Sequence, residues 1–173
     1  MNLQLKTFLI LLNENKIKYF IDSGTLLGLI RESDILKNDQ DIDIGIHYSE
    51  LNKFIALIDR IQLLGYKTRY ELYNNFPSKY KFYPTNKNMI RIDFNIYKEK
   101  SNKYLWCPVT YFSKPKNTFF KLYQKIIKFF WRRIFNSIET NKFPYNTIKK
   151  SYTWIIPIEY YNNIIYNKKF QCY

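Results

Sequence analysis

Residues 19–46 read YFIDSGTLLGLIRESDILKNDQDIDIGI and hold five Asp in a chain that is otherwise rich in Lys, Asn, Ile and aromatic residues. The end of this stretch alternates strictly between polar and apolar residues, which predicts a β-strand from residue 41. Side chains two positions apart on a strand point to the same face. Asp41 and Asp43 are therefore expected on one face, and Ile42 and Ile44 in the core beneath the other.

The segment before this strand predicts a helix start that is suited to binding an anion. Lys18–Asp22 is typical of a short strand, and Ser-Gly at 23–24 predicts a turn into a short helix over 25–32. Backbone N–H groups at a helix N-terminus are free to bind a phosphate, and the helix dipole favours its charge. Gly24 allows close approach of the backbone to a phosphate, and Thr25 offers a hydroxyl.

The remaining pattern predicts an α+β fold in which helices pack on one side of a mixed β-sheet. Neither a flexible linker nor a repeat interrupts it, so we expect one domain over residues 1–173. The other predicted elements are a helix over Leu3–Asn15, a helix N-capped by Ser49 that runs to Leu64 with Gly65 at its C-cap, strands over Lys67–Leu72, Tyr80–Tyr83 and Met89–Tyr97, a helix over 121–135 and a helix beginning at Pro157.

The charge of the chain is strongly positive and unevenly distributed. The net charge is +14, and residues 94–173 hold 15 Lys and Arg but only 3 Asp and Glu, against 13 and 11 in residues 1–93. Such asymmetry indicates a face that meets an anionic partner, whether nucleic acid, a phospholipid surface or a phosphate-bearing polymer. With only two Cys, far apart, the sequence argues against a disulfide scaffold or a Cys-based zinc site.

The location of the protein is predicted from its N-terminus and from the candidate helix at 121–135. The N-terminus lacks the basic start and small-residue cleavage site of a signal peptide, so we expect a cytoplasmic protein. The candidate helix places Lys121, Lys125, Lys128 and Arg132 on one stripe. Two interpretations stay open: a helix lying on the inner surface of an anionic membrane, or a domain helix with its apolar side in the core.

The paired carboxylates predict a metal site. Two carboxylates on one strand face repel each other, and a divalent Mg²⁺ or Mn²⁺ ion between them relieves that repulsion. Asp93 stands between apolar Ile92 and Phe94 on another predicted strand, so it is expected on the polar face there. If the two strands pair, the three carboxylates Asp41, Asp43 and Asp93 form a set suited to phosphoryl transfer.

Taken together, residues 22–46 resemble the signature of the LicD family, which includes fukutin. The matching positions are Gly24, Thr25, Leu26, Leu27, Gly28, Arg31, Asp39, Asp41 and Asp43. The sequence departs from the family pattern at 36–38, where Leu-Lys-Asn replaces Ile-Pro-Trp, and at Gln40. The later segments RIDFNIY, which contains Asp93, and WIIPIEYYNNIIY are also similar to family elements.

The resemblance implies a nucleotidyltransferase-like fold, with a catalytic core over about 1–98 and a basic, aromatic region over 99–173. It implies transfer of a phosphorylated alcohol, such as phosphocholine or ribitol phosphate, from a CDP-activated donor to a glycan or glycopolymer hydroxyl. Asp41 and Asp43 would hold the metal, and Asp93 would complete its shell or take the acceptor proton. Gly24 and Thr25 would bind donor phosphates, and Arg31 would either contact the same phosphates or pair with Asp34 at the surface.

Two other functions remain open at the level of sequence. The first is a nucleotidyltransferase that moves NMP from NTP onto RNA, a protein or a small molecule. Its basic C-terminal part would bind nucleic acid, with aromatics such as Tyr123 and Trp131 for stacking. Nucleic acid is the less favoured partner. The second is a non-catalytic module whose basic face does the binding.

Overall fold

The computed structural model describes residues 2–112, 117–134, 137–139 and 149–158. The helices are α1 (Leu3–Glu14), α2 (Ser23–Glu32), α3 (Leu51–Ile55), α4 (Ile58–Leu63) and α5 (Thr118–Ile134), and a 3₁₀ turn covers Tyr48–Glu50. The strands are β1 (Tyr19–Ile21), β2 (Asp41–His47), β3 (Tyr66–Tyr73), β4 (Phe76–Pro84), β5 (Arg91–Lys100), β6 (Tyr104–Phe112), β7 (Ser137–Glu139) and β8 (Lys149–Pro157).

These strands form a mixed sheet, as the sequence predicts. Within the described residues the strand order is β1-β2-β5-β4-β3-β7. Strand β6 lies outside this order and pairs with both β5 and β8. β2 and β5 run parallel, while β1 pairs with β2, and β4 with β5, in antiparallel fashion. The α+β fold is therefore confirmed, with β2 and β5 as adjacent central strands.

One face of the central strands forms the main hydrophobic core. The side chains that alternate on this face are fully buried: Ile42, Ile44 and Ile46 on β2, and Ile92, Phe94 and Ile96 on β5. Aromatic rings from the helices pack on them. The rings of Phe54 from α3 and Phe94 are 4.6 Å apart, and those of Phe8 from α1 and Phe94 are 6.1 Å apart. The period-two pattern of β2 thus determines which face carries the helices.

A second, smaller hydrophobic cluster lies on the other face of the sheet. It consists of Phe20, Tyr97, Leu105 and Cys107, with Trp154 and Ile156 packed against them. Phe20 lies opposite Gly45 in the β1–β2 register. A Cβ at Gly45 would come within 2.1 Å of the Phe20 ring. Gly45 therefore leaves the space that the ring occupies.

The segment from Ser49 to Gly65 differs in part from its prediction. The predicted single helix from Ser49 to Leu64 is wrong: a 3₁₀ turn is followed by two short helices, α3 and α4. His47, not Ser49, caps the turn, because its Nδ1 accepts a hydrogen bond from the Ser49 amide at 3.3 Å. Gly65 does take the left-handed conformation expected of a helix C-cap, with φ of +90°.

The C-terminal region contains more strand than the sequence pattern indicates. Pro157 ends strand β8 and Ile158 directly after it is helical, but the residues after Ile158, over which the helix predicted from Pro157 would run, lie outside the described part of the chain. The helix predicted over 121–135 is present as α5, beginning three residues earlier. Among the described helices, none combines the length and the apolar character that a membrane span requires.

The contact between Gly45 and Phe20 generates a stability prediction. Gly45→Ala should lower the free energy of unfolding by roughly 1–3 kcal/mol, because the added methyl group overpacks the smaller cluster. Phe20→Leu in the same chain should restore part of the loss, since the shorter side chain leaves room. Denaturant unfolding of the two single variants and the double variant measures this coupling. Strictly additive costs would contradict the proposed steric contact.

Candidate active site

The face of the sheet opposite the main core carries charged side chains from three neighbouring strands. We call it the polar face; its central residues are Asp41 and Asp43 on β2, Arg91, Asp93 and Asn95 on β5, and Lys79 and Lys81 on β4. The register places Asp43 opposite Asp93, and Asp93 opposite Lys81. The sequence prediction that Asp41, Asp43 and Asp93 share a face is confirmed by this register.

Two cations lie among these carboxylates. Lys79 Nζ is 3.1 Å from Asp93 Oδ2 and 3.7 Å from Asp43 Oδ1. Arg91 Nε donates to Asp93 Oδ1 at 2.9 Å, and Arg91 Nη2 donates to Asp41 Oδ2. Asp93, only 1% exposed, therefore has both oxygens in ion pairs. Asp41 and Asp43 are more open, at 23% and 14% of their side-chain surface.

A fourth carboxylate, Asp22, joins the polar face from the start of α2. Its Oδ1 accepts from the Ser23 amide at 2.8 Å, so it caps the helix. Its Oδ2 accepts from Asn95 Nδ2 at 3.0 Å and from the Tyr97 hydroxyl at 2.8 Å. Asn95 Nδ2 also lies 3.3 Å from Asp43 Oδ1, which makes Asn95 a bridge between the two carboxylates.

The surroundings of Asp43 disfavour the ionised form of its carboxyl group. Burial raises the pKa of Asp43 to about 6, and the charges of Asp93 and Asp22 add to the rise, while Lys79 opposes it. Burial lowers the pKa of Lys79, but the neighbouring Asp93 and Asp43 carboxylates outweigh it and hold that pKa above its ordinary value. Lys79 is thus kept charged, and a further cation would stabilise the ionised form of Asp43.

The first turn of α2 clamps the backbone of Asp43. The Thr25 hydroxyl oxygen accepts from the Asp43 amide at 2.8 Å, and the Asp22 amide donates to the Asp43 carbonyl at 3.1 Å. Thr25 is fully buried. The expectation that its hydroxyl meets a donor phosphate does not fit that burial, so Thr25 is a positioning residue for Asp43.

Gly24 and Arg31 lie at opposite ends of α2. A Cβ at Gly24 would come within 2.6 Å of Asp39 Oδ2, so the glycine gives the loop carboxylate access to the helix N-terminus. Arg31 is exposed in the last turn, about 10 Å farther along the axis at 1.5 Å per residue. The structure therefore does not bring Arg31 together with the backbone of Gly24.

The donor set around Asp41 and Asp43 fits a divalent cation that a substrate helps to coordinate. Within the described ranges, no three Asp, Glu, His or Cys side chains are grouped to hold a metal ion, and Asp93 is paired with Lys79 and Arg91 instead. Asp41 Oδ1 and Asp43 Oδ2 carry no hydrogen bond from that part of the protein. Mg²⁺ commonly takes one or two carboxylates together with substrate phosphates.

Several members of the polar face were not predicted from the sequence, among them Lys79, Asn95 and Asp22. Asn95 follows Asp93 by two positions, so the same alternation that selected Asp93 also marks it. Asp22 directly precedes the Ser-Gly-Thr turn, the position at which Asp commonly caps a helix. For Lys79 the chain gives no comparable signal, because only the β4–β5 pairing brings it to the carboxylates.

Comparison with known proteins assigns the chain to a family. A family model described as LicD/FKTN/FKRP, nucleotidyltransferase domain, matches residues 16–171. The chain belongs to this family. The match covers every residue of the polar face, so the resemblance of residues 22–46 is confirmed and extends over most of the LicD-family chain.

Two rickettsial proteins are similar to this LicD-family chain. Uncharacterized protein RP689 of Rickettsia prowazekii (strain Madrid E) is 34% identical over 110 residues, which cover 64% of this chain and 38% of that protein. Uncharacterized protein RT0683 of Rickettsia typhi (strain ATCC VR-144 / Wilmington) is 42% identical over 60 residues, 35% of this chain and 19% of that protein. The aligned segments thus span less than half the length of these relatives.

The raised pKa of Asp43 generates a pH-dependent stability prediction. Because its folded-state pKa, about 6, lies above the ordinary 3.8, ionised Asp43 destabilises the fold as pH rises through this interval. Asp43→Asn should therefore raise the free energy of unfolding at pH 8 by up to roughly 3 kcal/mol, at about 1.4 kcal/mol per pKa unit, and by little at pH 4.

The measurement is denaturant unfolding at both pH values with a chelator present. Asp59→Asn on the exposed surface of α4 makes the same change of charge away from the polar face and serves as the control. An equal effect of Asp43→Asn at both pH values would contradict the prediction.

Proposed function

We propose that this chain is a transferase of the LicD/fukutin kind, moving a phosphorylated alcohol such as phosphocholine or ribitol phosphate from a CDP-activated donor to a glycan or glycopolymer hydroxyl. The observation that carries the proposal is the polar face itself. Among the described residues, the four carboxylates Asp22, Asp41, Asp43 and Asp93 lie there with the cations Lys79 and Arg91, while Lys81, the third cation of the polar face, is paired with Glu71 at 2.7 Å. Such a site has uncompensated negative charge, which favours a divalent cation together with the phosphates that it carries.

Asp41 and Asp43 are the residues that we propose as ligands of Mg²⁺ or Mn²⁺. They are the two more open carboxylates of the polar face, and each has an oxygen outside its pairing with Arg91, Lys79 or Asn95. When bound, such an ion neutralises the charge that builds on the donor's phosphates as CMP leaves.

Asp93 has a different task in this proposal. Its burial and its two ion pairs support a role in holding Lys79 and Arg91 in position, and argue against its taking the acceptor proton. Arg91 is 32% exposed beside Asp41, so its guanidinium is available to contact a donor phosphate as well. Lys79 supplies a fixed positive charge to the floor of the site.

The N-terminus of α2 is the proposed contact for a second phosphate group. Gly24 leaves its backbone approachable, and the helix dipole favours an anion at this end. Asp39, which lies against Gly24, would have to give way to the incoming phosphate. Arg31, at the far end of α2, is proposed to contact a more distant part of the donor. The basic charge of residues 94–173 supports an acceptor that is itself anionic.

Replacement of either proposed ligand tests the function. Asp41→Asn and Asp43→Asn should each reduce turnover of a CDP-linked alcohol by at least about 100-fold, because each removes one ligand charge from the reacting phosphates. Release of CMP from CDP-choline and CDP-ribitol, with Mg²⁺ or Mn²⁺ and a glycan acceptor, is the measurement. Asp59→Asn is the control with the same loss of charge on an exposed helix.

The same assay separates the competing functions. Release of pyrophosphate from an NTP, with no CMP from CDP-alcohols, would replace the proposal by a nucleotidyltransferase. Full activity of either ligand variant would exclude the proposed roles of Asp41 and Asp43. Calorimetry of the wild-type chain with Mg²⁺ or Mn²⁺ should detect binding that Asp43→Asn weakens, whereas a non-catalytic module would bind no metal there.

A further inference from the structure

Helix α5 presents large apolar side chains to solvent. We call them the apolar stripe of α5: Phe119, Leu122, Tyr123 and Ile126, whose exposed fractions run from 39% to 75%. Their spacing of three and four residues places them on one side of the helix. Exposed apolar residues grouped in this way commonly mark an interaction surface.

The opposite side of α5 faces the protein. Gln124 is buried, with 4% exposure, and Phe120 is half-buried. The Phe120 ring lies 6.3 Å from the Tyr123 ring, at the border between the two sides. The interpretation that the apolar side of this helix packs in the core does not account for these exposed apolar side chains, whereas its expectation that the lysines lie outside agrees with the exposure of Lys121 and Lys125.

A basic stripe runs beside the apolar stripe. Lys121 and Lys125 lie one turn apart on an adjacent strip of the helix, and Lys128 and Arg132 continue the same spacing in the sequence. Lys121 and Lys125 are exposed. The 17 residues of α5 hold five Lys and Arg but no Asp or Glu, so no acidic group within the helix offsets this charge.

We propose that α5 lies on an anionic lipid bilayer, with its apolar stripe in the acyl boundary and its basic stripe at the headgroups. An apolar strip rich in aromatics beside a cationic strip is the pattern of helices that bind in the plane of a membrane surface. Attraction of lysines to anionic headgroups explains the charge, and entry of Phe119, Leu122 and Ile126 into the acyl boundary explains the exposure.

The charges argue against two other occupants. In a dimer formed through α5, the five positive charges of one helix would meet the five of the other. Nucleic acid would satisfy the basic stripe but would leave aliphatic Leu122 and Ile126 without a partner. The inference is independent of the proposed transferase reaction, because it concerns a surface outside the polar face.

Co-sedimentation of the full chain with vesicles tests the inference. We expect binding to vesicles of phosphatidylcholine with added phosphatidylglycerol, weaker binding to phosphatidylcholine alone, and loss of affinity as salt rises. Two double variants separate the contributions of the stripes. Lys121→Glu/Lys125→Glu reverses charge, and Leu122→Ser/Ile126→Ser removes apolar surface at constant charge; each should weaken binding by about tenfold or more.

A control with one change of each kind is available where α4 is followed by β3. Leu63→Ser/Lys67→Glu changes one strongly exposed Leu, at 88%, and one exposed Lys near the end of α4, and should leave vesicle binding unchanged. Circular dichroism checks that every variant is folded. Absence of binding by the wild-type chain, or binding by either α5 variant that equals that of the wild-type chain, would overturn the inference. So would a dimer that Leu122→Ser/Ile126→Ser dissociates, or binding to single-stranded RNA that needs the lysines while vesicles are ignored.

Discussion

Repulsion between carboxylates on adjacent strands is the constraint on which the polar face depends. The parallel pairing of β2 and β5 places Asp43 opposite Asp93, and water is largely excluded from both. Such a pair is stable only if positive charge lies close to it. Lys79 from β4 supplies that charge, at 3.1 Å from Asp93 and 3.7 Å from Asp43. The strand order β2-β5-β4 therefore also determines which charged side chains are neighbours.

The core and the polar face of this protein are built by the same alternation. Every second residue of β5 packs under the helices, and the residues between them carry the charged and amide groups. This is why the alternation around each residue predicts that Asp41 and Asp43 share a face and that Asp93 lies on the polar face of its own strand. Period two fixes the face of a strand residue from its neighbours alone.

Contacts between distant segments could not be predicted in this way. Lys79 lies on a strand whose sequence gives no sign of its partner, and the bridge from Asn95 to Asp22 joins residues 73 positions apart. The burial of Thr25 could not be predicted either, because a turn sequence shows which hydroxyls lie near a helix start but not which of them the fold buries. For α5, periodicity identified the apolar side, while its exposure depends on what packs nearby.

The two backbone hydrogen bonds at Asp43 have a mechanical consequence. Its amide is held by the Thr25 hydroxyl and its carbonyl by the Asp22 amide, so both polar groups of this peptide segment are joined to the first turn of α2. The hydrogen bonds therefore join the start of α2 directly to the backbone of Asp43. Because β2 is also paired with β5 at the centre of the sheet, these hydrogen bonds fix the start of α2 to a central strand at the residue that carries the carboxylate.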